Sequence, residues 1–397
     1  MKKMKLVMVV LVITFMTGCW NYRDLEDVVI VGAIGIDVED DKYTVSVEII
    51  NSKMVGRASE SGGSSNEASV TVFKKTAHTI KEALTKIVLE SPKKIYLGHM
   101  SLLVISEEAA KKGIFRFVDH FMRDFELRKV YSTVILKEGK AEDAISILLP
   151  VESVTAANIR TNFEAIGNFY SNQTNAKFDE IMMCLYERGC QTTISTIEIT
   201  GEIEKGKKND NLTVTKPDAS IKIAGSAIMK KDKLIGYLNA DENRNILLIK
   251  GKVKTTYIPF VCDDKKQYGN TVLDDIQSNL IVKLVKGKPE ATINIKSHAS
   301  LSEYNCKVNL LDKKDIAKIE EKIEKEVKKN VSNLVKKIQK YNSDVIGVGK
   351  HLYHDNYPYW DKNEKKWDKI FPTVKFKIKV DIKIKRVGAI AKSKRGD

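Results

Sequence analysis

The stretch "VKFKIKVDIKIKRVG", residues 374–388, alternates apolar and charged side chains along most of its length. Successive side chains of an extended strand point to opposite sides. Val374, Phe376, Ile378, Val380, Ile382 and Ile384 therefore share one face. Lys375, Lys377, Lys379, Lys383 and Lys385 share the other with Asp381. One face must meet a core, and the other is a ladder of lysines. The ladder reads in two ways. It is a docking surface for an acidic partner or anionic lipid, or a solvated face that discourages aggregation.

A partner layer is visible at residues 312–341. Ile316, Ile319, Ile323, Val327, Val331, Leu334 and Ile338 recur at intervals of three and four, one apolar stripe on a charged helix. At 1.5 Å per residue the helix is about 45 Å long. A coiled-coil seam would need a second chain. Packing across a twisted sheet of the same domain is the reading adopted, because strand-like segments flank the helix on both sides.

Upstream the texture is mixed. Val28–Ile36 and Tyr43–Ile49 read as two strands around the turn "DVEDDK". Gly56–Ser69 reads as a mobile Gly/Ser-rich loop before the strand-like "SVTVFKKT". From Thr76 helices and strands alternate. "TIKEALTKIVLESP" is a helix and "KIYLGHMSLLVIS" a buried strand. "EEAAKKGIFRFVDHFMRD" reads as one helix with Ile114, Val118 and Phe121 inward. "KVYSTVILKEG" is a strand, "AEDAISILL" a helix, Glu152–Leu185 helical, and "TTISTIEITGEIE" a strand. This alternation predicts a sheet with helices packed against it, an α+β chain. "EKGKKNDNLTVTKPD", residues 204–218, is charged and polar and ends near Pro217, so it is taken as the linker between the main regions. They are an N-terminal α+β region over 19–203, with a further split near Pro150 left open, and a C-terminal α+β domain over 219–392. The second region opens with a hairpin about Lys231–Asp232–Lys233 and a short helix in "ADENRNILLIKG". Three strands follow around 253–261, 271–285 and 291–301.

The N-terminus addresses location. "KKMKLVMVVLVITFMTGCW" begins with lysines, continues through an apolar run, and reaches small residues just before Cys19. This is the layout of a secretory signal peptide over residues 1–18. The run falls short of the about 20 apolar residues of a comfortable membrane span. A Cys after Gly18 makes it a lipoprotein signal, with the lipid on the Cys19 thiol; Met16 stands where Leu is usual. More than one acyl chain, at about 0.8 kcal/mol per buried methylene, gives stable attachment. The 397-residue chain carries a net charge of +15. Such a balance suits an anionic lipid surface. Nucleic acid is the rival partner for a basic chain, but no nucleic-acid motif is present and none is expected to be bound.

Catalytic patterns are sparse. There is no GxSxG, HExxH or P-loop pattern. Ser91–Pro92–Lys93–Lys94 matches SxxK but lacks its partner motifs, and the proline opposes the helical turn that must join Ser to Lys. His351 and His354, an i, i+3 pair with Asp355 beside them, are weak evidence for a metal site, since catalytic sites need three fixed ligands; the reading adopted is a polar loop, and no metal or cofactor is expected. Cys184, Cys190, Cys262 and Cys306 make no CxxC pair. Buried free thiols are the expectation, with a disulfide outside the cytoplasm the alternative. Tyr353, Tyr357, Tyr359, Trp360, Trp367 and Phe371 crowd one short span. They read either as a partner-binding anchor or as a cap on the core where the chain returns to its last strand.

An ordered set of segments resembles the spore germination lipoprotein family, often written Ger(x)C, the lipid-anchored subunit of bacterial nutrient germinant receptors. It comprises "GCWNYRDLED", "VGAIGID", "LGHMSLLVISEEAAKKG" with "FRFVDHFMRDFELR", "GSAIMKKDKLIGYLNADENRNILLIKGK" and the close from "DVIGVGKHLYHDNYPYWDKNEKKWDKIFP" into the lysine strand. The likeness covers nearly the whole mature chain; Met16 and "NIRTNFEAIG" depart from it. The resemblance implies a non-enzymatic subunit of three compact domains, each a mainly antiparallel or mixed sheet flanked by helices. It implies a place on the outer face of the spore inner membrane, beside two integral membrane subunits. The site residues expected are Cys19 for lipidation and Tyr357, Tyr359, Trp360, Trp367, Lys375, Lys377 and Lys379 for partner contact. A lipid-anchored solute-binding protein is the alternative, and would show two similar lobes around a cleft. A surface hydrolase is disfavoured by the missing nucleophile and metal sets.

Overall fold

The structure is a computed structural model that describes residues 27–51, 68–91, 93–169, 176–262, 267–306 and 310–386. Residues 1–18, Cys19 and most of the span 56–69 lie outside the described residues. The strands fall into two sheets. The first holds β1 (Val28–Glu39), β2 (Lys42–Ile50), β3 (Val70–Ala77), β4 (Lys94–Tyr96), β5 (Leu102–Ser106), β6 (Ser132–Lys137), β7 (Thr193–Gly201), β8 (Ala219–Lys230) and β9 (Lys233–Leu238), in the order β3-β2-β1-β5-β6-β7-β8-β9 with β4 beside β1. Its centre, β1-β5-β6-β7, is parallel, and antiparallel strands close both sides.

Helices cover both faces of this sheet. Ile80–Val88, Glu107–Lys112, Phe115–Arg123 and Phe178–Tyr186 pack on one side, where Ile87, Phe117, Phe121 and Phe178 meet Ile34, Leu103 and Ile105. Ala141–Ser146 and Thr155–Phe169 pack on the other, against Ala33, Leu102, Val104 and Val134. Two sequence readings are corrected in detail. The single helix expected over 107–124 breaks at Gly113, whose φ of 116° stops the first helix before Phe115 starts the next. The buried strand expected over 94–106 is two strands, β4 and β5, separated by a turn.

Residues 204–218, read as a linker, lie partly in the short helices Ile203–Gly206 and Asp210–Thr213. Asn211 is fully buried there and bonds the backbone of Leu148 and Ala219. The strands on either side, β7 and β8, are hydrogen-bonded neighbours, so β8 and β9 complete the first sheet from beyond that span.

The second sheet is β10 (Thr256–Val261), β11 (Tyr268–Val285), β12 (Lys288–Tyr304) and β13 (Lys375–Arg386) in chain order, antiparallel except for the parallel β12–β13 pair. The long helix Lys313–Lys340, capped by the Asp312 side chain, supplies the crossover that a parallel pair requires. It lays Ile319, Ile323, Val327, Val331, Leu334 and Ile338 over one face of the sheet, in one core with Ile293, Ile295 and Ile382. The whole is an α+β fold with mixed sheets flanked by helices. Among the described residues the two sheets have nine and four strands, unlike the similar lobes expected of a solute-binding protein.

Candidate functional site

The aromatic span folds as short helices, Val348–Asp355, Tyr357–Asn363 and Trp367–Ile370, and the first takes the place of the polar loop expected at His351 and His354. Asn356 starts the second by accepting from the Tyr359 N–H, with Pro358 in its first turn. This geometry turns the indoles inward. Trp360 and Trp367 lie with ring centroids 5.4 Å apart, and Phe371 follows Trp367 at 6.2 Å. Trp360 is 2% and Trp367 5% exposed, so neither offers a ring to a partner here. Tyr359 is half-buried, and Tyr357 is exposed with its hydroxyl near Asp361. Of the aromatic candidates, Tyr357 faces outward most fully.

Beneath the indoles sits a residue that sequence reasoning did not single out. Asp344 is 1% exposed. One carboxylate oxygen accepts the Gly347 and Val348 N–H groups at 3.0 and 2.9 Å. The other accepts the Gly349 N–H at 2.6 Å and the Trp367 Nε1–H at 3.3 Å. The carboxylate thus caps the helix Val348–Asp355, where oriented N–H groups favour negative charge. Burial nevertheless pushes its pKa up to about 7. Its own N–H donates to Gln191 at 2.8 Å, and the neighbouring Ser343 hydroxyl donates to the Met229 carbonyl at 2.7 Å. These bonds fasten the second core to the first sheet. Gly189 and Gly349 meet there so closely that a Cβ on Gly189 would lie 2.6 Å from the Gly349 carbonyl carbon. Glu187 bridges the same seam, reaching Lys350 at 2.8 Å and His354 at 2.9 Å. A cleft of about 630 Å³ opens beside it, lined in part by Glu187, Lys250, Lys252, Asn279 and His351. The sequence signal for this hub was the run "DVIGVG", an acid ahead of two glycines at a helix start.

The cysteines correct the free-thiol expectation. Cys184 pairs with Cys190 beside the cleft, and Cys262 with Cys306. The second pair joins the end of β10 to the end of β12, which flank β11, so only the sheet register brings those residues together. Among the described residues no group of three or more His, Cys, Asp and Glu side chains is placed to hold a metal ion. His354 bonds Glu187 and His351 faces Asp355 at 3.5 Å.

The strand β13 keeps its predicted alternation. Lys375, Lys377 and Lys379 are exposed and stand opposite Glu290, Thr292 and Asn294 of β12. Lys377 pairs with Glu290 at 3.2 Å. On the free edge the long helix contributes carboxylates: Glu324 accepts the Ile382 N–H and Glu320 the Ile384 N–H, at 2.9 and 2.8 Å. That covers part of an edge otherwise open to further pairing.

Two family models match the chain in tandem. A spore germination protein N-terminal domain matches residues 21–199, and a "Spore germination B3/GerAC like, C-terminal" model matches residues 224–388. The chain belongs to this spore germination family. Among curated relatives, "Spore germination protein KC" of Bacillus subtilis (strain 168) is 27% identical over 386 residues, covering 96% of this chain and 95% of the relative. "Spore germination protein B3" of the same organism is 24% identical, covering 94% and 95%. The crystal structure of the GerBC protein superposes with a TM-score of 0.52 at 20% identity, covering 89% of this chain and 96% of the other, a likeness of fold. Family membership makes the chain a non-catalytic subunit of a germinant receptor. Among the described residues no helix is long and apolar enough to cross a membrane.

Proposed function

We propose that the chain is a lipid-anchored receptor subunit, held by acyl chains on Cys19 once residues 1–18 are removed. It works through contacts with the receptor's integral membrane subunits on the outer face of the spore inner membrane. The observation that carries this reading is the tandem family match along almost the whole chain, joined to a leader that ends in Gly18–Cys19. The outward residues of the predicted set, Tyr357, part of Tyr359, and Lys375, Lys377 and Lys379, are the surfaces open to contact, the tyrosines toward a partner subunit and the lysines toward an acidic partner or anionic lipid. Trp360 and Trp367 support them from within the core. The division into three domains belongs to the same reading, with a changeover at 204–218 that β7 and β8 span as neighbours in one sheet. The changeover between family models after residue 199 and before residue 224 supports the boundary.

Cys19→Ala tests the anchor. The variant should fold, escape from the membrane fraction, and slow nutrient-triggered germination. Germination at the normal rate with an unacylated chain would sink the proposal.

A further inference from the structure

Among the described residues, the four-stranded sheet is covered on one face only. Register places its outward side chains in rows across three strands: Lys283, Glu290 and Lys375; Ile281, Thr292 and Lys377; Asn279, Asn294 and Lys379; Gln277, Lys296 and Asp381. Every one of these residues is exposed or half-buried, whereas the alternate positions Leu280, Ala291, Ile293 and Ile295 are buried beneath the long helix. Among the described residues, the ammonium groups of Lys283, Lys296, Lys375 and Lys379 have no carboxylate partner, and Glu290 is already engaged by Lys377. The face is therefore broad, open and positive. It ends at the β11–β12 turn, Lys286–Gly287, where both φ angles are positive and the chain reverses tightly. Val285 at that tip is 43% exposed, and Ile281 in the middle of the face is 40% exposed.

We infer that this face is a docking surface for an anionic lipid bilayer, Lys283, Lys296, Lys375, Lys377 and Lys379 meeting headgroups while Ile281 and Val285 enter the interface. The inference gives the lysine contact surface its occupant, and it rests on the reading of the chain as membrane-held. Charge complementarity carries the choice. Lysine is a mobile point charge on a long stem, suited to diffuse headgroup charge, whereas arginine's fork suits fixed carboxylates; the rows contain no arginine. Exposed aliphatic side chains among the cations add the apolar component of interfacial binding. A lysine at an anionic surface strengthens binding by about fivefold. Removing three therefore weakens charge-dependent docking by on the order of a hundredfold.

The test uses the acylated full-length chain on vesicles of phosphatidylcholine alone or with phosphatidylglycerol. A water-soluble amine reagent reports each lysine by mass spectrometry. Lys375, Lys377 and Lys379 should lose about tenfold or more of their labelling with phosphatidylglycerol and regain it at high salt. Lys81, exposed on the first sheet's helix Ile80–Val88, should not change. Equal labelling on both vesicles, with the chain sedimenting with both, overturns docking while leaving the anchor intact. Protection in phosphatidylcholine that requires the receptor's membrane subunits assigns the face to an acidic protein and also overturns it. If the anchor itself is absent, the chain fails to sediment with phosphatidylcholine. Docking is then read from sedimentation with phosphatidylglycerol, which must occur and must be lost in the triple variant Lys375→Glu, Lys377→Glu, Lys379→Glu; no sedimentation overturns it. Lysine-to-glutamine substitutions at the same positions serve if the charge reversal disturbs folding.

Discussion

The two sheets solve the same problem in opposite ways. In the first, helices lie on both faces, and β5, "LLVIS", is buried at every position. In the second, one helix layer covers one face, and β13 alternates exposed lysines with inward aliphatics. Parallel strands joined by crossover helices end up covered twice, so they read as continuous apolar runs. A sheet with a solvated side reads as strict alternation. The difference also governs polar groups. The doubly covered sheet buries Asp37 and Glu48, and each bonds the N–H groups that open a helix: Asp37 those of Ala141 and Glu142, Glu48 that of Thr155. The open sheet leaves its charges in water. Asp344, its one deep carboxylate among the described residues, caps a helix at the seam between the cores.

The contrast can be broken most severely by placing a charge inside β5. Val104→Asp buries an unpaired carboxylate at a fully enclosed site, at a cost of several kcal/mol. No cooperative unfolding transition should remain in circular dichroism; a normal transition would mean that the second face is not covered. Next in size is the Cys262–Cys306 pair. Its double serine variant should lose about 2–4 kcal/mol by denaturant titration, because the bridge closes a loop of 44 residues. The Cys184–Cys190 bridge, spanning 6 residues, should matter less.

A smaller effect reports the buried carboxylates by pH. Burial raises Glu48 from 4.5 to about 7, despite the hydrogen bonds that favour its ionised form. A carboxyl raised by folding stabilises the fold while protonated, so its contribution is full below about 4.5 and fades as pH rises through about 7. Glu48→Gln keeps an oxygen for the Thr155 N–H and removes the charge. It should flatten the stability profile across that window, by up to about 1.4 kcal/mol per pH unit, and be the more stable form at alkaline pH. Asp344 and Asp37 are raised in the same direction, so the profile of the variant should retain a residual slope. The smallest effect belongs to the open face. Ile281→Asp should change stability by no more than about 0.5 kcal/mol; a larger loss in a thermal melt would show that this face is covered.

Much of the second unit was legible along the chain. The apolar stripe over 312–341 and the alternation over 374–386 each declare a period, and a period names the element and its buried side. The hairpin at Lys231–Asp232 and the short helix in "ADENRNILLIKG" were legible from local chemistry; the structure adds a reciprocal capping box between Asn239 and Glu242. The break at Gly113 was missed because the apolar spacing runs on through it. The indoles were ambiguous because a Trp that anchors a partner and a Trp that fills a core have the same neighbours in sequence. Asp344 carried only a weak local signal, since its role depends on Trp367 and Gln191, which the fold delivers from elsewhere.

Sequence alone determined the quantities that depend on near neighbours: the strand and helix periods, the hairpin at Lys231–Asp232, the lysine ladder, and the family order of motifs. Tertiary structure alone decided which cysteines pair, which aromatics are interior, and that β7 and β8 join one sheet across a stretch that reads as a connector. The physical reason is range. Periodicity and capping act within a few residues of one another, whereas a disulfide partner, a buried carboxylate's donors and a strand's neighbour are set by contacts between segments tens to hundreds of residues apart.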